Sequence, residues 1–150
     1  MYKLKYFTEA EMRITKDTPL DIIQNCYNLA EFVLDPLRDL IKKPIFVNSW
    51  YRNPVYNAKV GGEKNSQHTF GEAADIVVKG MTVEAVYATI ITNNIPFDQV
   101  IVEYDNVNKT TWIHISFRSL TKNRKSKLKA VKEVGKKWVY TPIKGGLKHD

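Results

Sequence analysis

Three short apolar stretches of this 150-residue chain each carry one charged or imidazole side chain: Asp75 in AADIVV, Glu103 in QVIVEY and His114 in TWIHISF. Such runs read as strands, in which successive side chains alternate between faces. Asp75 therefore shares a face with Ala73 and Val77, Glu103 with Gln99 and Ile101, and His114 with Trp112 and Ser116. A carboxylate among aliphatic neighbours needs a cation, a hydrogen-bond network or a shared proton. His68 stands seven residues before Asp75, and Gly71 between them permits a sharp turn into the strand. The third histidine, His149, is next to last and is expected to be solvated. His68, Asp75 and His114 make an N/O donor set suited to zinc, with three protein ligands and a fourth position left to water. Glu103, one strand away, would accept that water's proton. Taken singly, each of these groups is more often a hydrogen-bonded core residue than a ligand. The chain has no H-E-x-x-H, no C-x-x-C and no helical His pair, so spacing alone leaves the choice open.

The elements that must position these residues follow from pattern. Thr8 and Glu11 form a T-x-x-E capping box for a short helix. Thr18-Pro19 with Asp21 signals a second start. Apolar residues at Ile22, Ile23, Cys26, Leu29, Ala30, Val33, Leu34, Leu37 and Leu40 recur at helical intervals and describe a long amphipathic helix. Pro36 is expected to kink or split it, with Asp35 as a cap for the second piece. Cys26 falls on the buried stripe and reads as a core thiol. Pro44 opens PIFVNSWYR, a strand, and the polar stretch 53–66, with Pro54, Gly61 and Gly62, reads as a loop. Thr82 can cap a helix of about twelve residues ending near Asn93-Asn94. The segment 105–109 is the turn between the last two strands of the site. Leu128–Val134 and Trp138–Tyr140 can pair as a hairpin across Gly135-Lys136, and 145–150 are expected to fray. Helices first and short strands later indicate an α+β domain with helices packed on a small, mainly antiparallel sheet.

Composition narrows the class. At 17.3 kDa a single domain over 1–150 is the default, and such a chain buries about 68–70% of its unfolded surface. One cysteine excludes an intramolecular disulfide and any cysteine-rich metal site. No run approaches the roughly 20 apolar residues of a membrane span, and MYKLKYFTEAEMRI lacks a signal-peptide core. Synthesis without a signal peptide is therefore the expectation. The formal net charge is +7, which by itself points to an anionic partner: nucleic acid, a membrane surface or an acidic wall polymer. That charge is unevenly placed. Residues 1–117 hold 12 basic and 14 acidic side chains, whereas 118–150 hold 11 and 2.

Ser66 to Asp75, SQHTFGEAAD, matches the S-x-H-x-x-G-x-A-x-D motif of the zinc D-Ala-D-Ala carboxypeptidases and related peptidoglycan LD-endopeptidases. Hedgehog signalling domains share that zinc-site fold. Other segments resemble the family in the same order. Asn48 to Pro54 is similar to its S-G-Y-R-S-P segment, and Asn57 to Gly62 to its N-x-x-V-G-G loop. Phe97 to Glu103 resembles the strand ending in the catalytic Glu, and Trp112-Ile113-His114 the final ligand strand. The opening Phe7-Thr8-x-x-Glu11 is also similar, so the resemblance covers roughly 6–118. It implies His68, Asp75 and His114 as zinc ligands and Glu103 as general base, shuttling a proton from water to the leaving amine. It implies Arg52 as the group that polarises the scissile carbonyl or holds a substrate carboxylate. Ser66 and Gln67 would shape the loop or orient the ligands. Two positions depart from the pattern. Trp112 replaces the first histidine of the H-x-H found in several relatives, and reads as an aromatic wall of the pocket. Thr111 stands where other relatives place the base of E-x-x-H, which moves that role to Glu103 and requires its strand to pair with that of His114.

The resemblance thus implies a Zn2+-dependent metallopeptidase hydrolysing an amide bond in peptidoglycan stem peptides, as a phage-type wall lysin reaching the wall by holin release or virion delivery. The alternative is a non-catalytic zinc-binding interaction module, for which a positioned Glu103 would have no use. A nucleic-acid partner rests on charge alone. With the charge confined to 118–150, the sharper expectation is a contact with an anionic wall polymer, and the plainer one a solvated basic tail.

Overall fold

The computed structural model describes residues 1–147. His149, expected to be solvated, lies outside the described residues, as do 148 and 150. Short helices precede and interrupt a six-stranded sheet. The elements are α1 (Glu9–Met12), α2 (Leu20–Leu29), a π-helical turn (Ala30–Leu34), α3 (Asp35–Ile41), β1 (Ile45–Ser49) and α4 (Pro54–Lys59). A 3-10 turn (Gln67–Phe70), β2 (Ala73–Val78), α5 (Val83–Thr92), β3 (Gln99–Asp105), β4 (Thr110–Ser116), β5 (Ser126–Lys132) and β6 (Val139–Pro142) follow. The strand order is β1-β2-β4-β3-β5-β6. Every neighbouring pair is antiparallel except β3 and β5. This is the expected α+β class, and no helix among the described residues is long and apolar enough to cross a membrane.

The alternation read from the strands separates two faces. Ala74, Ile76, Val78, Val100, Val102, Ile113 and Ile115 join Leu29, Ala30, Val33, Leu34 and Leu37 of the long helix and Val86, Tyr87 and Ile90 of α5 in one core. The opposite face of the same strands carries Asp75, Glu103 and His114. Burial of this apolar set, at roughly 25 cal/mol per Å2 removed from water, is the main force holding helices to sheet.

Local signals held in part. The Thr8–Glu11 capping box forms in both directions, and Thr82 Oγ1 accepts from the Ala85 N–H. Thr18 does not cap α2; its hydroxyl instead accepts from the Thr15 N–H, and Pro19 occupies the cap position. Nor does Asp35 cap a second helix. The chain passes from α2 through the π turn into α3 without a break, and the Asp35 N–H reaches back to the Ala30 carbonyl. Widening the helix ahead of Pro36 accommodates the lost donor and the ring, which a regular α turn would not. Asp35 is buried and accepts from the Tyr2 hydroxyl at 2.6 Å. Within 53–66 the structure has α4, capped by Asn53 with Pro54 in its first turn. An Asn-Pro start is a helix signal that the neighbouring glycines obscured.

The C-terminal region is sheet rather than tail. β5 and β6 form the expected hairpin, with Ala130 opposite Tyr140, and β5 docks in parallel alongside β3. Arg124 fixes this join. Its guanidinium forks onto the fully buried Asp98, with Nη2 to Oδ2 at 2.7 Å, and its backbone N–H donates to Oδ1 at 2.8 Å. Leu147 packs against the core, and the rest of the segment expected to fray, 148–150, lies outside the described residues.

Candidate metal centre and its cleft

Gly71 is what allows the 3-10 turn to deliver His68 beside β2. Its φ is +72°, and a Cβ there would lie 2.8 Å from the Ile22 carbonyl oxygen and 2.9 Å from Cys26 Sγ. Ser66 Oγ caps the turn by accepting from the His68 N–H, and the Ser66 carbonyl accepts from Thr69 Oγ1 at 2.6 Å. His68 is then tied to the segment after β1 by two bonds. The Arg52 N–H donates to the His68 carbonyl, and His68 Nδ1 lies 2.8 Å from the carbonyl oxygen of the buried Trp50.

Asp75 pairs directly with His114 across β2 and β4. Its Oδ1 lies 3.2 Å from His114 Nδ1 and 3.3 Å from His68 Nε2. One donor atom from each of the three residues falls within 4.8 Å of the others. Three observations test the fit to zinc. A carbonyl only accepts, so His68 Nδ1 carries a proton and Nε2 is the ring atom turned to Asp75 Oδ1. That contact needs a proton or a cation between the two atoms, since two bare lone pairs at that distance repel. Tetrahedral zinc with bonds of about 2.0–2.1 Å separates its ligand atoms by about 3.3 Å, close to the two spacings between Asp75 and the histidine rings. Finally, burial holds His114 below its ordinary pKa, favouring the neutral ring. Burial opposes ionisation of Asp75, but the hydrogen bonds from His114 and His68 outweigh it and hold the carboxyl well below the carboxylate range. Ionised Asp and neutral His are the forms a metal needs. The residues fit the ion, and the Nδ1–H bond to Trp50 is the orienting contact that metal-binding histidines commonly make.

Glu103 and Arg52 flank this set. β3 does pair with β4: Ile101 stands opposite His114 and Glu103 opposite Trp112. Glu103 is thus diagonal to His114, about 7 Å away in an antiparallel pair. Burial and the neighbouring Asp75 charge push the Glu103 carboxyl up to about 8. The Trp112 indole N–H, although outside hydrogen-bonding geometry, and Arg52 pull it the other way. Arg52 is anchored on three sides: Nε donates to Ser49 Oγ at 2.9 Å, Nη1 to Asn57 Oδ1 at 3.4 Å and Nη2 to Asp75 Oδ2 at 3.5 Å. Two of its five N–H groups remain for a ligand. Gly62 makes room for this arrangement, because a Cβ there would lie 2.0 Å from Asn57 Oδ1.

All eight residues singled out in the sequence, Arg52, Ser66, Gln67, His68, Asp75, Glu103, Trp112 and His114, line one cleft of about 850 Å3. Gln67 Nε2 donates to Asp98 Oδ2 at 3.0 Å, which couples the His68 turn to the Arg124 clamp. Trp112 forms an edge-on pair with Trp138. Four contributions escaped the sequence reading: Ser49 and Asn57 under Arg52, the Trp50 carbonyl, buried Asp98, and the wall supplied by the β5–β6 hairpin. Asp98, in the apolar context PFDQV, carried the same signal that exposed Asp75. The Trp50 carbonyl carried none, being backbone.

A family profile described as Peptidase M15 matches residues 5–116. No curated protein matches the chain.

Proposed function

The chain belongs to the peptidase M15 family of zinc metallopeptidases, and from that premise we propose that it hydrolyses an amide bond in the stem peptides of peptidoglycan. The observation that carries this reading is the convergence of a His-Asp-His donor set, a desolvated glutamate and an anchored arginine on one cleft.

His68, Asp75 and His114 would hold zinc, which when bound supplies Lewis-acid activation of water and of a carbonyl. Glu103 takes a proton from the attacking water onto a carboxylate oxygen and returns it to the leaving amine as the C–N bond breaks. Arg52 directs its remaining donors at the scissile carbonyl or at a substrate carboxylate, preorganised by Ser49, Asn57 and Asp75. A D-Ala-D-Ala carboxypeptidase or an LD-endopeptidase activity is the finer assignment we propose, in a phage-type lysin that reaches the wall by holin release or virion delivery. The resemblance of the motifs supports it. The test is mass spectrometry of stem peptides after incubation with the zinc-loaded protein, with and without chelator.

The basic segment supports a separate proposal, contact with an anionic wall polymer. Lys127 and Lys129 lie on the strand face turned away from the cleft, with Lys129 Nζ 5.3 Å from the Tyr104 ring centroid. Charge reversal at Lys125, Lys127 and Lys129 is expected to weaken low-salt binding to purified walls while stem-peptide hydrolysis stays unchanged. Undiminished wall binding would discard the idea.

A further inference from the structure

The β5–β6 hairpin lies outside residues 5–116, the part matched to the family, yet it builds one wall of the cleft. Register explains how. Glu103, Ala130 and Tyr140 form one row across β3, β5 and β6 on the cleft face. Ala130 is small and fully buried, so the floor between Glu103 and Tyr140 is low. Trp138, just ahead of β6, sits edge-on to Trp112 of β4 with ring centroids 5.8 Å apart. In the sheet those strands are three spacings apart, about 14 Å. The two indoles therefore meet above the sheet, over the strands between them.

This fold-back brings Lys132 and Lys137 to the cleft. The other two cations there already have ion-pair partners, Arg52 with Asp75 and Arg124 with Asp98, and the free donors of Arg52 point at the scissile amide in the proposed mechanism. Lys137 makes no hydrogen bond or ion pair among the described residues. Lys132 donates one side-chain hydrogen bond, to the Glu133 carbonyl at 3.5 Å, and its charge also helps to lower the pKa of the Asp105 carboxyl. Its strand partner is Asp105, whose carboxylate already accepts from the Val107 and Asn108 N–H groups and from Asn108 Nδ2. Glu63 lines the cleft too, but from the loop that precedes the His68 turn. The hairpin wall thus presents positive charge beside aromatic surface.

We propose that Lys132 and Lys137 form a carboxylate subsite, and that the substrate is a peptide carrying an acidic group about three residues from the scissile amide. The spacing follows from Lys132, one strand separation across and two residues along from the row of Glu103, and from Lys137 just ahead of β6, two separations away: about 8–10 Å against about 3.3 Å per extended residue. The inference rests on the peptidase reading and adds to it the class of peptide selected. Two probes test it: a synthetic stem peptide with a free glutamate carboxylate, and the same peptide amidated at that group. The zinc-loaded wild type is expected to show a KM about five-fold or more lower for the acidic peptide, with similar kcat. The preference should fade at about 0.5 M salt, where screening is short-ranged. The double variant Lys132→Gln, Lys137→Gln should lose the preference, with its thermal melt checked against wild type. Equal KM values in wild type, or a preference that survives in the double variant, would overturn the subsite. If neither peptide is cleaved, the peptidase reading fails, and calorimetric binding of the same two peptides decides the subsite. A lysine-dependent preference upholds it, and equal binding removes it.

Discussion

Glu103 sits where burial and a neighbouring carboxylate both resist its ionisation, and this makes two consequences measurable. As a general base it should contribute about 10^2–10^4-fold to turnover. Glu103→Gln is therefore expected to lose at least about a hundredfold in kcat while binding zinc stoichiometrically, since it is not among the donor atoms. Unchanged hydrolysis with zinc retained would remove it from the mechanism. The second consequence is thermodynamic. A carboxyl raised to about 8 in the folded chain holds its proton where the unfolded chain has released it. Between about pH 4.5 and 8 the folded state binds more protons, so stability falls as pH rises through that window. In chelator-treated protein, Glu103→Gln should raise Tm relative to wild type at pH 8 and change it little at pH 4. Equal Tm differences at both pH values would contradict the desolvated assignment. His68→Ala should abolish zinc binding, measured by metal analysis of the purified protein; retained stoichiometric metal would strike His68 from the donor set.

Two connections between elements carry the site, and each has a test at its own scale. Gly71 lets the His68 turn close against α2, and Gly71→Ala must place a methyl group against Ile22 and Cys26 in a left-handed conformation. That conformation alone costs about 1–2 kcal/mol for an L-residue. The variant should unfold at lower urea and bind zinc more weakly, because the displaced turn carries His68, a proposed ligand; wild-type zinc affinity would show that the turn is not what positions His68. Arg124 joins the β5–β6 hairpin to the core through Asp98. Hydrogen bonds from the guanidinium and from Gln67 hold that carboxyl below its ordinary pKa despite burial. Arg124→Gln is expected to cost about 2 kcal/mol in urea unfolding at neutral pH, with the difference shrinking as pH falls through the Asp98 titration. The depressed pKa gives that sign: the carboxylate's contribution exists above its unfolded pKa and is lost on acidification. These connections also show where sequence reasoning reached its limit. Strand alternation set Asp75, Glu103 and His114 apart from the core-facing residues of their strands because a period of two is strict. The capping box at Thr8 was local and legible. The helix across Pro36 survived because a π turn absorbs one missing donor, a choice that local pattern does not specify.

At the scale of the molecule, the +7 charge of the sequence resolves into structure. The basic segment contributes two strands, β5 and β6, with one lysine-bearing face turned from the cleft and another lining it. The hairpin was legible from its apolar runs around Gly135. Its docking alongside β3 was not, since the partner strand is selected by the distant Asp98–Arg124 contact. The donor set was legible as residue types, but the anchoring of Arg52 by Ser49 and Asn57 depends on α4, a helix that the composition of 53–66 concealed. The central claim is that these parts together hydrolyse a peptide amide in peptidoglycan. Mass spectrometry of defined stem peptides incubated with zinc-loaded protein tests it most directly. One new amine and one new carboxyl terminus at a single bond are expected, lost with chelator and with Glu103→Gln. Intact peptides in the presence of folded, zinc-loaded wild type would contradict it.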